Sequence, residues 1–276
     1  MNTINTQAAS ELPQADASNL VDRVELERKV QDVYRSVALD PHATHHFETG
    51  RALAARLGYP EPLLDFVPGP ALDSFAGVGY HLDLAALAPG DRVLDLGSGS
   101  GTDAFCAAVS VGETGRVVGV DFTDAQVARG ASMAESHDFT NVEFLEASID
   151  DLPFDDGSFD VVISNGVINL SPVKDRVFAE AARVLRPGGR LAISDIVSAI
   201  PLKDRTRRNT ELWAACIAGA IPTSSYLQAL DASGFLITAT RPNPYRFLSE
   251  RARDACQTYG VESTTFAATL TRKETS

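Results

Sequence analysis

Three glycines at alternate positions, Gly97, Gly99 and Gly101, stand between two carboxylates in the run Arg92-Val-Leu-Asp-Leu-Gly-Ser-Gly-Ser-Gly-Thr-Asp-Ala-Phe105. Glycine lets the backbone come close to a ligand, and Asp95 just upstream can answer a positive charge. A further carboxylate, Asp121, closes the run Arg116-Val-Val-Gly-Val-Asp121. At the end of a second apolar segment, an acidic residue can accept both hydroxyls of a ribose; alone it reads equally as a helix cap or a loop charge. Loops that bind dinucleotides have Gly-x-Gly-x-x-Gly and offer a helix N-terminus to a pyrophosphate. Here the spacing is Gly-x-Gly-x-Gly, residue 102 is Thr, and Asp103 in the first helical turn would oppose a pyrophosphate. The pattern favours an adenosyl ligand with a cationic, amino-acid-like end and no phosphate.

Candidates for the chemistry itself lie elsewhere. His42, His45 and His46 cluster in Asp40-Pro-His-Ala-Thr-His-His46. Their i, i+3 and i+4 relation shares one face if helix persists there, although Pro41 breaks the preceding helix. His45 and His46 read as a general base or acceptor-binding pair, or as a polar loop. A metal site is not expected, because Glu48 is the one carboxylate with obvious ligand spacing. Tyr34 and Tyr80 could close over a cation through their ring faces or pack as core aromatics. Trp213, Cys216 and Ile217 share helical spacing and either line a substrate pocket or fill the core, as buried free cysteine often does. Tyr245, in Tyr245-Arg-Phe247, offers a far wall.

The elements that must position these groups follow from periodicity. Val21, Val24, Val30, Val33 and Val37 recur at three- and four-residue spacing and predict an amphipathic helix over 20–39. A second helix is expected over 46–57, closed by Gly58, followed by a passage rich in Pro and Gly to the turn at Pro89-Gly90. Residues 20–90 read as a helical cap and 1–19 as a disordered leader. From 91 onward, short apolar runs at 93–96, 116–121, 142–146, 159–165 and 190–196 alternate with helical stretches at 102–110, 123–136 and 172–185. Thr123 is the expected N-cap of the second of these. That alternation predicts an α/β chain with a parallel, doubly wound sheet. A helical insertion at about 200–233, read as helices over 204–220 and 224–233, precedes strands at 235–240 and 263–271, with a helix over 249–259 between them.

The run 91–195 resembles the class I S-adenosylmethionine-dependent methyltransferases. The matching pieces are Val93-Leu-Asp-Leu-Gly-Ser-Gly-Ser-Gly101, Gly119-Val-Asp121, Ala147-Ser-Ile-Asp-Asp-Leu-Pro-Phe154, Phe159-Asp-Val-Val-Ile-Ser-Asn165 and Leu185-Arg-Pro-Gly-Gly189. The resemblance implies a Rossmann-like, doubly wound mixed sheet of seven strands with the last antiparallel, and residues 91–276 as the S-adenosylmethionine-binding domain. It implies Asp95, Gly97, Ser98, Gly99, Gly101 and Asp121 at the cofactor, Phe122 packed on the adenosine, Ser148 and Ile149 beside the adenine, and Asn165 beside the methionine end. It also aims Asn169 at the acceptor. Ser148 stands where the family usually has an acidic residue. Ser164-Asn-Gly-Val-Ile-Asn-Leu-Ser-Pro172 and Leu212-Trp-Ala-Ala-Cys-Ile-Ala-Gly-Ala220 look like the arsenite methyltransferase group. That group carries cysteines at the positions of Gly166 and Cys216, and another in a Gly-Cys-Gly turn matched here by Gly77-Val-Gly79. Trivalent arsenic is soft and wants two or three convergent thiolates, and this chain offers one candidate, Cys216.

With 276 residues, 44% of them hydrophobic, the chain can bury a sizeable core. A formal charge of −13 argues against a nucleic-acid or anionic-membrane surface. There is no secretory signal and no stretch apolar enough to span a membrane. Cys106, Cys216 and Cys256 are odd in number and widely spaced, which fits a reducing cytoplasm. The expected activity is methyl transfer to a small metabolite, specialised metabolism included. Its rivals are arsenite methylation through Cys216, C-methylation of a prenyl diphosphate held by Arg205, Arg207 and Arg208, and a non-catalytic cofactor-binding protein. The oligomeric state stays open, a homodimer included.

Overall fold

The structure, a computed structural model, describes residues 20–43 and 47–271. The expected leader and both His45 and His46 lie outside them. Strands β1 (Arg92–Leu96), β2 (Arg116–Asp121), β3 (Val142–Glu146), β4 (Phe159–Asn165), β5 (Leu185–Val197), β6 (Phe235–Pro242) and β7 (Glu262–Leu270) form one sheet in the order β3-β2-β1-β4-β5-β7-β6. The first five pair in parallel, while β7 runs antiparallel to both β5 and β6. The strand order reverses between β1 and β4, and the crevice over their carboxyl ends is where open α/β sheets bind ligands. The Arg186-Pro-Gly-Gly189 turn appears as a bulge: Phe159 pairs with Leu185, and pairing resumes at Val161 with Arg190.

The helices before the sheet are α1 (Arg23–Leu39), α2 (Arg51–Leu57), α3 (Glu61–Leu64), α4 (Gly69–Asp73) and α5 (Leu82–Ala85). The second is shorter than its apolar pattern predicts, beginning after Gly50 rather than at residue 46. Flanking the sheet are α6 (Thr102–Val111), α7 (Asp124–Ser136) and α8 (Lys174–Val184). Thr123 does take the N-cap position of α7, but its side chain makes no capping bond; the Thr123 N–H instead donates to Asp121. The insertion is less helical than expected over 204–220, with α9 (Asp204–Arg207) and α10 (Thr210–Ala214) as short pieces before α11 (Thr223–Ala232); α12 (Glu250–Tyr259) joins β6 to β7.

Apolar side chains lie on both faces of the sheet. Val93, Val117, Val161 and Ile163 meet α6 on one face, and Leu94, Leu96, Val162 and Ile193 meet α8 on the other. A third cluster joins α1 to the insertion through Leu26, Val30, Val78, Trp213 and Ile217. Polar ties add to it. Lys29 Nζ donates to Thr210 Oγ1 at 2.6 Å, Gln31 Nε2 to the Phe122 carbonyl at 2.9 Å, and Gln126 Nε2 to the Tyr34 carbonyl at 2.9 Å. The helix α1 therefore lies across the βα loops instead of standing apart from them. Among the described residues no helix is long and apolar enough to cross a membrane.

Candidate functional site

A cleft opens over the carboxyl ends of β1, β2 and β4, lined by Gly97, Ser98, Gly99, Asp103, Asp121, Phe122, Ser148, Ile149 and Asn165. Gly97 takes φ 70°, and a Cβ added there would come within 2.3 Å of Val167 Cγ2. Only a bare backbone fits that turn. Asp121 is shaped by the loop: Gly99 N donates to its Oδ2 at 3.0 Å and Thr123 N to its Oδ1 at 2.8 Å. Its carboxylate is thus fixed, with lone pairs left over for two adjacent hydroxyls.

The charge around this cleft is one-sided. Asp95, Asp103 and Asp121 are each less than a tenth exposed, and no ion pair reaches any of them among the described residues. Burial, with Asp103 and Asp121 nearby, pushes the Asp95 carboxyl well up, against the pull of the Ala104 N–H. Burial likewise raises Asp121. Asp95 Oδ2 and Ser98 Oγ are buried without a partner. Uncompensated carboxylates in a dry site are costly, and a cationic ligand relieves that cost. The donor set therefore fits S-adenosylmethionine, whose sulfonium and ammonium carry positive charge, and disfavours a pyrophosphate.

At one end of the cleft, Ser148 Oγ donates to Asp150 Oδ1, and Arg23 of α1 bridges to Asp150 Oδ2 at 2.9 Å. Asp150 lines the cleft, so an acidic side chain stands two residues from Ser148. Its position two residues after Ser148 was visible in the sequence, but nothing there distinguished it from its neighbour Asp151. At the opposite end, Tyr59 donates to Asp103 Oδ1, and Asn165 Nδ2 lies 3.0 Å from Asp103 Oδ2. Tyr59 carries no signal in the sequence, since its partner is 44 residues away.

Beyond Tyr34, which lines the cleft, is a second set of side chains. Tyr34 Oη lies 3.9 Å from Cys216 Sγ, and Cys216 Sγ lies 4.0 Å from the Gly166 carbonyl. Gly166 takes φ 75°, and a Cβ built on it would meet Val78 Cγ1 at 3.2 Å. Val78, Gly166 and Cys216 thus converge, and their side chains are an isopropyl group, a hydrogen and one thiol. Burial drives the Cys216 thiol up to about 12, with Asp195 adding to the rise. Burial also raises Tyr34 well above its ordinary range, reinforced by Cys216. Tyr245 is raised by burial and then by Cys216, which sets its phenol in the same neighbourhood.

Other expected site residues sit elsewhere. Asn169 does not face the cleft; it is fully buried, with Nδ2 on the Ile196 carbonyl at 2.9 Å and its backbone oxygen accepting from Lys174 Nζ. The short turn Ile168–Leu170 rolls its side chain toward β5. Trp213 and Ile217 are core residues, 1% and 0% exposed, with Trp213 Nε1 bonded to the Arg207 carbonyl. Tyr80 packs its ring 4.6 Å from Tyr59 instead of lining the cleft, and Gly101 backs onto Phe144. His42, the described member of the histidine cluster, is largely exposed 3.9 Å from Asp73. No group of His, Cys, Asp and Glu able to hold a metal is found among the described residues.

Residues 87–250 match the family model described as a methyltransferase domain. Among curated proteins, the arsenite methyltransferase of Halobacterium salinarum is 44% identical over 188 residues, covering 68% of this chain and 48% of that protein. That of Aquipseudomonas alcaligenes is 41% identical over 182 residues, covering 63% and 52%. The chain spans about half the length of these curated relatives. An arsenic(III) S-adenosylmethionine methyltransferase from Chlamydomonas reinhardtii superposes with a TM-score of 0.62 at 32% identity, covering 83% of this chain and 76% of that one. A geranyl diphosphate C-methyltransferase from Streptomyces coelicolor A3(2) reaches a TM-score of 0.64 at 18% identity, covering 89% and 98%, and shares the fold.

Proposed function

The chain belongs to the S-adenosylmethionine-dependent methyltransferase family, and we propose that it moves the methyl group to a small, largely apolar metabolite at carbon, nitrogen or oxygen. The observation that carries this reading is the convergence of Val78, Gly166 and Cys216, positions where the resemblance implies thiols in the arsenite group and this chain has one. A single thiol held protonated by burial is a poor anchor for trivalent arsenic.

When bound, the cofactor supplies an electrophilic methyl on a sulfonium. The residues of the chain do the rest. Asp95 and Asp103 would receive the ammonium, Asp121 the ribose hydroxyls, and Ser148, Ile149 and Asp150 the adenine edge. Tyr34, between the cleft and Cys216, would face the positive sulfur with its ring and phenol oxygen. Arg23, Gln31 and Gln126 tie α1 over the loops and would exclude water during transfer. Tyr34, Tyr245 and Cys216 are all held in their protonated forms. None of these three is a base at neutral pH, so an acceptor that brings its own available electron pair suits them best. Positioning in line with the methyl then supplies most of the acceleration.

A second reading, arsenite methylation through Cys216, is favoured by the identity to the arsenite methyltransferases. The test uses methyl-labelled donor with arsenite in one arm and a small-molecule extract of a producing cell in the other. Label in an organic product supports the main reading. Label in methylated arsenic, lost in Cys216→Ser, replaces it with the second. Tight cofactor binding with label in neither indicates a silent binding protein.

A further inference from the structure

At the carboxyl end of β4, Asn165 divides its amide between two structures. Its Oδ1 accepts from the Val78 N–H at 2.8 Å and from the Gly79 N–H at 3.3 Å, which holds the Gly77–Gly79 turn. Its Nδ2 lies 3.0 Å from each of three acceptors: the Gly79 carbonyl, Asp103 Oδ2 and Tyr59 Oη. Tyr59 is an acceptor here because its own proton is donated to Asp103 Oδ1. An amide nitrogen has two hydrogens, so three acceptors at equal distance cannot all be served. One is always under-satisfied.

The three acceptors belong to different parts of the site. Asp103 faces the cleft and carries a charge that no described cation neutralises. The Gly79 carbonyl belongs to the turn whose Val78 side chain abuts Gly166. A ligand ammonium at Asp103 would take over one of the oxygens that Asn165 now serves. The freed N–H would then settle on Gly79 and Tyr59, and the turn would be held more firmly.

We propose that Asn165 is a positioning residue that carries occupancy of the cofactor's amino-acid end to the Gly77–Gly79 turn, whose Val78 abuts Gly166 on the side proposed for the acceptor, with Tyr59 as the third contender for its amide. The inference rests on the cofactor assignment and goes beyond it, since it makes the acceptor wall depend on one end of the cofactor. It favours an order of binding in which the cofactor comes first.

Hydrogen exchange of the intact chain tests this, comparing S-adenosylhomocysteine with 5′-deoxy-5′-methylthioadenosine, which lacks the amino-acid end. Saturation with the former should slow exchange of the Val78 and Gly79 amides at least fivefold more than saturation with the latter. Equal slowing by both, or none by either, overturns the proposal. If neither ligand binds the wild type, the cofactor assignment fails and the inference with it. In Asp103→Asn, S-adenosylhomocysteine should bind about tenfold more weakly, roughly 1.4 kcal/mol. The thioadenosine should stay within about twofold and the extra protection should vanish; a uniform loss for both ligands would mean a merely structural role. Tyr59→Phe removes one contender and should act in the opposite direction, leaving the two amides already slowed without ligand. Faster exchange in that variant, at unchanged thermal stability, contradicts the account.

Discussion

On the cofactor side of the cleft, Asp95, Gly97, Ser98, Gly99 and Asp121 sit on two consecutive βα turns, and the bond from Gly99 to Asp121 spans 22 positions. On the side proposed for the acceptor, Tyr34, Val78, Gly166 and Cys216 come from four separate segments, and the contact of Tyr34 with Cys216 spans 182. The first group is fixed by strand ends and glycine geometry, so its residue types are dictated by the ligand's chemistry. The second is assembled by packing α1 and the insertion onto the sheet, so one substitution can change what it accepts without disturbing the fold. Such a division permits a chain to keep its cofactor side while its proposed acceptor side changes.

The largest expected effect lies on the cofactor side. Gly97→Ala places a Cβ 2.3 Å from Val167 at a φ of 70°, and S-adenosylhomocysteine affinity should fall by about 100-fold or more, about 2.7 kcal/mol, by calorimetry. A loss under about threefold would mean that the turn is not the cradle described.

Next is a support on the acceptor side. Buried Lys174, under the Trp213 ring, donates to the Asn169 carbonyl at 2.9 Å and the Ser171 carbonyl at 2.7 Å, and so pins the loop after β4. Lys174→Met should cost about 2–4 kcal/mol in denaturant melts. Burial drives the Lys174 ammonium down from 10.5 to about 7, opposed by Asp195 and aided by Arg207. Between those values the unfolded chain holds more protons, so this group makes the protein more stable as pH rises from about 7 toward 10.5. Asp195 acts oppositely: burial raises it from 3.8 to about 6, so its contribution falls as pH rises through that interval. The alkaline gain should be lost in the methionine variant; an unchanged profile would remove Lys174 as its source.

A smaller effect concerns the chamber thiol. Cys216 is buried and Cys256 half-buried, so alkylation at pH 8 should modify Cys256 at least about tenfold faster, read by mass spectrometry. Rapid labelling of Cys216 would mean that its surroundings open to solvent and its thiol is available. Smallest is Arg23→Ala. Its bridge to Asp150 joins a side chain 41% exposed to one 4% exposed, and such a pair contributes on the order of 1 kcal/mol or less. S-adenosylhomocysteine should dissociate about two- to fivefold faster.

The same division explains what could be read from the sequence. Strand-glycine-helix periodicity carries the parallel strands β1–β5 and the Asp121 position, because these depend on neighbours along the chain, whereas the antiparallel last strand follows from the family resemblance and not from local pattern. Helix α2 began late because Gly50 precedes it, and the run 204–220 broke into short pieces. In both cases apolar spacing alone overstated the helix. Asn169 was misdirected because the turn Ile168–Leu170 rolls its side chain toward β5, which a motif cannot encode. Tyr59 and Asp150 were missed because their roles come from contacts with Asp103 and Arg23, not from local pattern. The convergence of Val78, Gly166 and Cys216 needed three-dimensional packing to become visible, although the family pattern had marked each position.

The proposal most exposed to test is that this chain keeps the methyl donor and does not methylate arsenic. Purified chain, methyl-labelled S-adenosylmethionine, arsenite and a thiol reductant should yield no methylated arsenic above the enzyme-free background, while the same preparation binds S-adenosylhomocysteine. Methylated arsenic that forms with the wild type and disappears with Cys216→Ser would contradict the account.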